Sequence, residues 1–417
     1  MTNPSPSAAG PLAGVRVIEL GQLIAGPFCG KTLADFGAEV IKIEPPGKGD
    51  PLRKWRLLKN GNSVWWEVQS RNKQSVTLDL TQREGQDILR LLVMEADVLI
   101  ENFRPGKMEE WGLGYEDLKT LNPRLVMARI SGYGQDGPYR DRPGFGIIAE
   151  SMGGLRYLTA EPGRVPVRVG VSIGDTLAAL HAVIGILMAL YYRDRVHRDR
   201  IHRDHNPAEA GPTEGQVVDV ALYESVFNCM ESLLPEYSAF NVVREAAGSA
   251  LPGIVPSNAY PCSDGWILIG GNGDGIFKRL MKAIGREDFA ASPDMASNEG
   301  RVKRVTDIDG AITAWTQAQD KKSALEVLAR HDVPSGAIYS VADIAADAQY
   351  RARDMILNIT TRDGYTVDVP GIVPKLSATP GGIRTPAPRL GEDTAAILAR
   401  AGLKPETLAD LRAKGVI

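Results

Sequence analysis

The chain has 417 residues, of which 43% are hydrophobic and 24% charged, and its formal net charge is −3. This composition is typical of a soluble globular protein, and the length predicts two domains rather than one compact core. The small net charge excludes a general attraction to nucleic acid or to anionic membranes, so any anion-binding site must be local.

Cysteine usage and the N-terminus both bear on the cellular compartment. Cys29, Cys229 and Cys262 are widely spaced and form no CxxC pair, which argues against a disulfide framework or a structural zinc site. Residues 1–10 lack the basic and apolar segments of a signal peptide and predict a flexible lead-in. Together these features favour a reducing cytoplasm.

Strand and helix patterns alternate through the first third of the chain. Residues 15–20 predict a buried strand, residues 27–36 a helix closed by Gly37, and residues 39–43 a second strand. The pattern continues with strands at 75–80, 97–100 and 124–131 and helices at 82–96 and 115–121. Such alternation predicts an α/β fold with a Rossmann-like, doubly wound parallel sheet, which binds ligands at the carboxyl ends of its strands.

Two glycine-containing loops bear on nucleotide binding. The loop at residues 21–27 lacks the GxGxxG spacing that seats a dinucleotide, which disfavours a nicotinamide enzyme. The cluster at residues 270–275 could cradle a phosphate but has no Gly-Lys-Ser/Thr. A turn that needs positive φ explains that cluster equally well.

Asp175 lies between a strand-like run at residues 165–173 and an apolar helix pattern at residues 177–192. A carboxylate there would cap the helix, and the helix dipole would keep it ionised and able to act as a nucleophile. A plain N-cap is the competing interpretation. The apolar run has 16 residues, fewer than the roughly 20 needed to cross a bilayer, and predicts a buried helix with His181 as a hydrogen-bonded core residue.

Weaker signals follow in the second half of the chain. Residues 193–205 repeat Arg, Asp and His, which leaves a metal or polyanion site open but favours a solvated helix extension because the charges alternate. Further helices are predicted at 216–227, 275–284, 303–318, 322–331, 392–401 and 405–414, with strands at 265–269 and within 358–369.

Short segments in a fixed order carry the strongest functional signal. They lie at residues 12–20, 25–27, 37–44, 72–73, 101–106, 131–134, 174–176, 215–219 and 388–394. In this order and spacing they resemble the class III CoA-transferases, the family of formyl-CoA and carnitine CoA-transferases. Residues 174–176, Gly-Asp-Thr, match the catalytic segment of that family.

The resemblance implies an interlocked homodimer of ring-shaped subunits. Each subunit would have a large Rossmann-like CoA-binding domain and a smaller α+β domain. Residues 1–225 would form the first part of the large domain and end in a linker, residues 226–334 would form the small domain, and residues 335–417 would return to the large domain.

The resemblance also implies the chemistry. Asp175 would attack the donor thioester and carry first the acyl group and then CoA, with acyl-CoA as substrate and with no bound cofactor or metal. Residues 143–156 and 252–258 resemble members that use succinyl-CoA and small dicarboxylates. The partners implied are acyl-CoA, a carboxylic acid and a second subunit, with no nucleic acid and no membrane.

Two sets of residues are predicted around Asp175. The CoA-binding set comprises Arg71, Asn72, Lys73, Leu78, Asn102, Phe103, Arg104, Lys107 and Trp111. The substrate-pocket set comprises Ile24, Ala25, Trp55, Trp65, Phe145, Gly146, Glu150 and Gly253.

Departures from the formyl-CoA transferases limit this transfer of roles. Pro45-Pro46 replaces an arginine pair and Glu110 replaces an arginine, so the CoA phosphate contacts must be redistributed. Phe145-Gly146 replaces a tyrosine-glutamate pair, which disfavours oxalate or formate chemistry. Glu150, one turn further on, is a candidate for the lost polar role or an ordinary helix-surface residue.

Two other functions remain open at this stage. The α-methylacyl-CoA racemases share the fold and the aspartate, but they need a second proton-transfer group, and no histidine lies between residues 132 and 180. A CoA-binding protein without turnover is the second alternative. A covalent adduct at Asp175 would separate a transferase from both.

Overall fold

The computed structural model describes residues 10–204 and 214–417, and of residues 197–204 it describes only the backbone. The predicted lead-in and His205 therefore lie outside the described residues. The strands are β1 (Arg16–Glu19), β2 (Glu39–Glu44), β3 (Leu58–Lys59), β4 (Asn62–Ser63), β5 (Lys73–Thr77), β6 (Val98–Glu101), β7 (Val126–Ser131), β8 (Val217–Ala221), β9 (Ser257–Cys262), β10 (Gly265–Gly270), β11 (Ser335–Ala337), β12 (Ile356–Thr360) and β13 (Thr366–Pro370). 

The helices are α1 (Ala25–Asp35), α2 (Val64–Gln69), α3 (Arg83–Val93), α4 (Lys107–Glu110), α5 (Tyr115–Leu121), α6 (Gly146–Met152), α7 (Leu155–Leu158), α8 (Ile173–Asp204), α9 (Leu222–Phe227), α10 (Leu233–Phe240), α11 (Asp274–Ala283), α12 (Glu287–Ala291), α13 (Asn298–Lys303), α14 (Val305–Gln317), α15 (Lys321–Arg330), α16 (Val341–Ala346), α17 (Ala348–Ala352), α18 (Thr394–Arg400) and α19 (Pro405–Ala413). Pro51–Lys54 and Pro293–Met295 form short 3₁₀ helices.

The chain divides into two compact units. The first comprises the residues up to Arg156, Val169–Pro235 and Arg351–Ile417, and the second comprises Tyr157–Arg168 and Glu236–Tyr350. The chain therefore returns to the first unit near its C-terminus. The observed boundaries lie about ten to sixteen residues beyond the predicted ones, and the segment Tyr157–Arg168 joins the second unit.

A six-stranded sheet organises the first unit, in the order β5-β2-β1-β6-β7-β8 with every neighbouring pair parallel. Apolar side chains cover both faces, because alternate residues of each strand enter different cores: Val17 lies in one core and Ile18 in the other. The predicted α/β fold with a parallel central sheet is confirmed. The strand order reverses between β1 and β6, which is where such sheets bind ligands.

Two sequence predictions of secondary structure were wrong. The strand-like run at residues 165–173 forms no strand: Val165, Val167 and Val171 are exposed, and no strand among the described residues pairs with the run. Residues 216–227 are predicted as one helix, but they begin with strand β8, which pairs with β7. Helix α9 starts only after this strand. In both cases the pairing edge of the sheet, rather than the local pattern, decides the conformation.

Helix α8 is longer and less buried than predicted. It runs for 32 residues, and from Ile173 to Val196 it is long and apolar enough to cross a membrane by length and composition alone, with 44% of the most apolar window buried. Arg193, predicted as the start of a solvated extension, is buried and pairs with Asp97 at 2.9 Å. His181 bonds to Leu177 O at 2.9 Å, as expected of a satisfied histidine.

The second unit is built on a three-stranded antiparallel sheet in the order β11-β10-β9. Helices α11, α14 and α15 pack on it around a core that includes Phe277, Ile308 and Leu328. The glycine cluster at residues 270–275 connects β10 to α11, and none of its glycines has positive φ. A Cβ at Gly271 would lie 2.6 Å from Leu280, so close packing explains that glycine instead.

Candidate active site

The loops that follow β1 and β6 meet at the switch point of the sheet. The Asn102 side chain accepts a hydrogen bond from Gln22 N at 2.8 Å and donates one to Gln22 O at 2.9 Å. Leu23, held at a φ of 64°, donates its amide to Asp50 at 3.0 Å. These bonds hold the loop that carries Ile24 and Ala25, so the structure joins one predicted CoA-binding residue to two predicted pocket residues.

A network of buried charged groups holds the β1–α1 loop in place. Lys42 Nζ lies 3.0 Å from Glu19 and 2.8 Å from Asp50, and it donates to the carbonyl oxygen of Gly21. Burial opposes the charge on Lys42, but the carboxylates of Asp50 and Glu19 outweigh it and raise the pKa of the ammonium group. Opposite charges therefore fix the position of the β1–α1 loop inside the protein.

The loop after β6 is held by a second set of ion pairs. Arg129 contacts Glu101 at 2.8 Å and Glu109 at 2.7 Å, and Glu101 accepts a hydrogen bond from Phe103 N at 2.7 Å. Burial raises the pKa of the Glu101 carboxyl to about 7, although Arg129 opposes the shift. This arrangement orients Phe103, whose ring packs edge-on against Trp111 with centroids 5.4 Å apart.

Cationic groups surround the same loop. Arg104 is exposed, and Lys107 lies over the Trp111 ring and pairs with Glu110 at 3.0 Å. The guanidinium of Arg140 approaches the loop as well, because a Cβ at Gly106 would lie 3.6 Å from it. Sequence reasoning missed Arg140, which no motif distinguishes from other loop cations. Guanidinium and ammonium groups at this edge are suited to phosphate.

Asp175 lies in the first turn of α8 rather than at its cap, since the helix begins at Ile173. Helix α8 connects β7 to the parallel strand β8, so its first turn lies toward the carboxyl edge of the sheet. The carboxylate packs directly on Gly146, the first residue of α6, where a Cβ would lie 2.1 Å from Asp175 Oδ2. Only glycine fits at residue 146 without moving the carboxylate.

Glu150 belongs to the same contact between α6 and α8. It is buried, and its Oε1 lies 3.5 Å from the amide nitrogen of Gly174, the residue before Asp175. The structure therefore rejects the helix-surface interpretation of Glu150. Phe145, the residue before Gly146, is 68% exposed and presents an apolar ring beside this position.

Three residues of the predicted CoA-binding set lie at the opposite edge of the sheet. Arg71 and Asn72 precede β5, whereas Asn102–Lys107 follow β6, and these ends of parallel strands lie at opposite edges of the sheet. The guanidinium of Arg71 is buried against Asp35, at 2.7 Å, and Asn72 also bonds to Asp35. The prediction that Arg71 and Asn72 bind CoA is therefore wrong, and both residues have structural roles.

Lys73, the first residue of β5, is corrected for the same reason. Lys73 is buried, with Nζ 2.8 Å from Glu19, and burial lowers its pKa to about 8 although Glu19 opposes the shift. The Lys73 side chain is therefore not free to contact a phosphate. Leu78 follows β5 and lies toward the same edge of the sheet as the loop after β6; its side chain belongs to the apolar core, its amide bonds to Glu44 O, and its role stays a prediction.

The other predicted pocket residues are placed as follows. Trp55 and Trp65 pack together with ring centroids 6.2 Å apart. Ala25 is buried in the same core as Ala149 of α6 and Ala178 of α8, which ties the β1–α1 loop to the Asp175 region. Gly253 lies in the second unit, at a φ of 75°, and its role stays a prediction.

Comparison with known proteins identifies the family. The model of CoA-transferase family III matches residues 12–394. The chain belongs to this family. It is 46% identical to a succinyl-CoA–D-citramalate CoA-transferase of Chloroflexus aurantiacus, over 98% of each chain, and 40% identical to the beta subunit of a succinyl-CoA–L-malate CoA-transferase of the same organism, again over 98% of each.

A solved structure agrees with this assignment of the family III CoA-transferase. A CAIB/BAIF family protein from Brucella suis is 34% identical, with a TM-score of 0.80 over 94% of this chain and 100% of the other. The class of enzyme predicted from the sequence is confirmed. Because both named relatives are CoA-transferases, neither the racemase nor the non-catalytic alternative is favoured.

Proposed function

We propose that this CoA-transferase moves CoA from succinyl-CoA to a small dicarboxylic acid through a covalent intermediate on Asp175. The observation that carries the proposal is the contact of the Asp175 carboxylate with Gly146, which places a carboxylate in a defined position in the first turn of α8. The named relatives, which act on D-citramalate and L-malate, support the substrate class.

The proposed reaction exchanges one acyl bond for another in four balanced steps. An oxygen of Asp175 attacks the thioester carbonyl, CoA thiolate leaves, and a mixed anhydride forms. The thiolate then attacks the aspartyl carbonyl, which releases succinate and leaves an aspartyl-CoA thioester. The acceptor carboxylate attacks that thioester, CoA thiolate leaves, and a second anhydride forms. The returning thiolate attacks the acyl carbon of the acceptor in this anhydride. This forms the product thioester and restores the Asp175 carboxylate.

A carboxylate nucleophile suits this sequence of steps. Each step replaces one carboxylic acid derivative by another of similar energy, so the protein needs mainly to position the reactants. Water is the competing nucleophile for the anhydride and must be excluded. We expect Phe145 and the apolar residues of α6 to do this, since α6 begins at Gly146, which contacts the Asp175 carboxylate.

The acceptor preference follows from the residues around Asp175. Phe145-Gly146 offers no polar side chain at the position where formyl-CoA transferases have a tyrosine-glutamate pair, so we expect four- and five-carbon dicarboxylates rather than oxalate or formate. Initial rates with succinyl-CoA and a series of acids, with product thioesters separated by chromatography, test this. We expect citramalate, malate or mesaconate to exceed oxalate by at least about tenfold, or about 1.4 kcal/mol. Equal rates would reject the dicarboxylate assignment.

We also propose that the enzyme is a homodimer, interlocked as the family resemblance implies. One face of α8 carries an exposed apolar stripe at helical spacing, Leu180, Ile184, Leu187, Met188 and Tyr191, of which the last two are each 67% exposed. The opposite face is packed on α1 and β7. Inserting α8 into a lipid bilayer would remove its packed face from that core and unpack the sheet. We therefore assign the exposed stripe to contact with a second protein chain. A cytoplasmic location, with three free cysteines, fits this proposal.

A charged residue placed in the apolar stripe of α8 tests the proposed dimer. We expect Met188→Glu to shift the protein from dimer to monomer in sedimentation experiments, because burying one unpaired carboxylate in an interface is strongly unfavourable. Leu57→Glu is the matched control, since Leu57 is 77% exposed and lies outside the stripe. A wild-type protein that sediments as a monomer, or a Met188→Glu variant that stays dimeric, would reject this surface as the interface.

A further inference from the structure

The first unit contains a cavity whose residues play no part in the mechanism above. It has a volume of about 280 Å³ and is lined by the 3₁₀ helix Pro51–Lys54, helix α2, the turn between β12 and β13, and residues 387–390. Contacts among the lining residues hold the cavity wall in place. Trp66 Nε1 and Arg53 both donate to Pro388 O at 3.2 Å, and the Arg53 guanidinium stacks on Trp66 at 3.7 Å. We refer to it as the α2 cavity.

The lining of the α2 cavity is positively charged. Five cationic side chains line it, against the carboxyl groups of Glu67 and Asp363; the cations are Lys48, Arg53, Lys54, Arg362 and Arg389. Arg53 is held by Glu44, with both distances 2.8 Å, and Arg362 pairs with Glu392 at 3.4 Å, so these two cations are already balanced. The side chain of Arg389 is 60% exposed, donates to the carbonyl oxygen of Arg362, and lies 3.6 Å from Asp363, too far for a strong hydrogen bond. An anion would gain from the remaining cations, Lys48, Lys54 and Arg389.

Two buried polar groups of this region have unmet hydrogen-bonding capacity. Glu67 is only 4% exposed, yet its Oε2 has no hydrogen-bond partner among the described residues, and the same holds for the buried hydroxyl of Tyr365. Burial raises the pKa of Glu67 to about 7; Asp363 adds to the shift and Arg53 opposes it. Burial likewise raises the pKa of Tyr365, with Glu67 and Asp363 contributing. Buried groups of this kind normally have a partner.

We propose that the α2 cavity binds a phosphate-type anion, with the Glu67 carboxyl as a hydrogen-bond donor and Arg389 among the balancing cations. Only the protonated form of Glu67 can donate, and it also avoids repulsion with the anion. Binding therefore favours the protonated form, and affinity falls as the pH rises through the pKa of Glu67. The anion is either a phosphate of CoA, in which case the inference rests on the proposed function, or a free phosphate.

Isothermal titration of the full-length protein with sulfate tests the site. Sulfate keeps its charge near neutral pH, so a change in affinity reports on the protein. We expect affinity to fall about tenfold between about pH 6 and about pH 8. Glu67→Gln keeps a donor and should remove this pH dependence, and Arg389→Ala should weaken binding at least about threefold. Arg83→Ala, an exposed cation outside the cavity, is the matched control and should bind as the wild type does.

A second titration separates the two sources of the anion. If the phosphate belongs to CoA, CoA should bind more tightly than 3′-dephospho-CoA, and Arg389→Ala should reduce that difference. If it is free phosphate, the two ligands should bind equally and sulfate should not compete with them. Absence of sulfate binding, or an equal loss in Arg83→Ala and Arg389→Ala, would overturn the proposal. Covalent labelling of Asp175 during turnover is measured separately, so a failure of the proposed function would be recognised as such.

Discussion

Replacing Asp175 with alanine is expected to lower the rate of CoA exchange by at least about 10³-fold, or about 4 kcal/mol of barrier. The variant lacks the atom that forms both the anhydride and the aspartyl thioester, and the chain offers no substitute nucleophile at that position. Glu150, one helix away, is held against the amide of Gly174. The measurement is the rate of product thioester formation from succinyl-CoA.

Two controls accompany the Asp175→Ala experiment. CoA binding should stay within about threefold of the wild-type value, because the loops after β1 and β6 do not depend on Asp175. Hydroxylamine added during turnover should convert the wild-type Asp175 peptide to a hydroxamate that mass spectrometry detects, and the variant should show none. Turnover of the variant within about tenfold of the parent, under 1.4 kcal/mol, would reject the covalent role.

Gly146→Ala is expected to reduce exchange by about 10²-fold, although the substitution adds only a methyl group. Its Cβ would lie 2.1 Å from Asp175 Oδ2 and 2.7 Å from Cγ, so the carboxylate or the start of α6 must move. A displacement of about 1 Å is enough to lose alignment between a nucleophile and a carbonyl carbon. We also expect a loss of about 1–3 kcal/mol in the free energy of unfolding, the usual cost of overpacking.

Gly170→Ala is the matched control for this prediction. It changes the same residue type five positions before Asp175, at a glycine whose Cβ would meet no atom within 4 Å. We expect wild-type exchange and stability from this variant. Wild-type exchange by Gly146→Ala as well would show that the close contact does not constrain the nucleophile.

Much of the fold could be predicted from local pattern. The helix Tyr115–Leu121 has the predicted bounds, and strands β1, β2, β6 and β7 lie within a residue or two of the predicted ones. The alternation of these strands with helices was enough to predict the parallel sheet, because crossovers have one hand and parallel strands are buried on both faces. The errors at residues 165–173 and 216–227 concern short β-branched runs, whose conformation depends on whether a strand edge is available.

The candidate site, like the fold, could be predicted from the sequence only in part. Asp175 and the loop Asn102–Lys107 could be proposed from the sequence because each belongs to a contiguous motif, and both lie within residues 12–394, which the family model matches. The roles predicted for Arg71 and Lys73 failed, since a motif does not show which edge of the sheet a residue occupies or which carboxylate it meets. Arg71 is held by Asp35 and by Pro370 O, which are 36 and 299 positions away in the chain.

The sequence by itself therefore determined the class of fold, the family and the residue proposed as nucleophile, because these depend on the order of residues along the chain. Only the tertiary structure decided that residue 146 must be glycine, that Glu150 is buried beside Gly174, and that Glu67 lines a cavity with several cations. Burial, charge pairing and close approach are set by residues that are distant in the chain and adjacent in space.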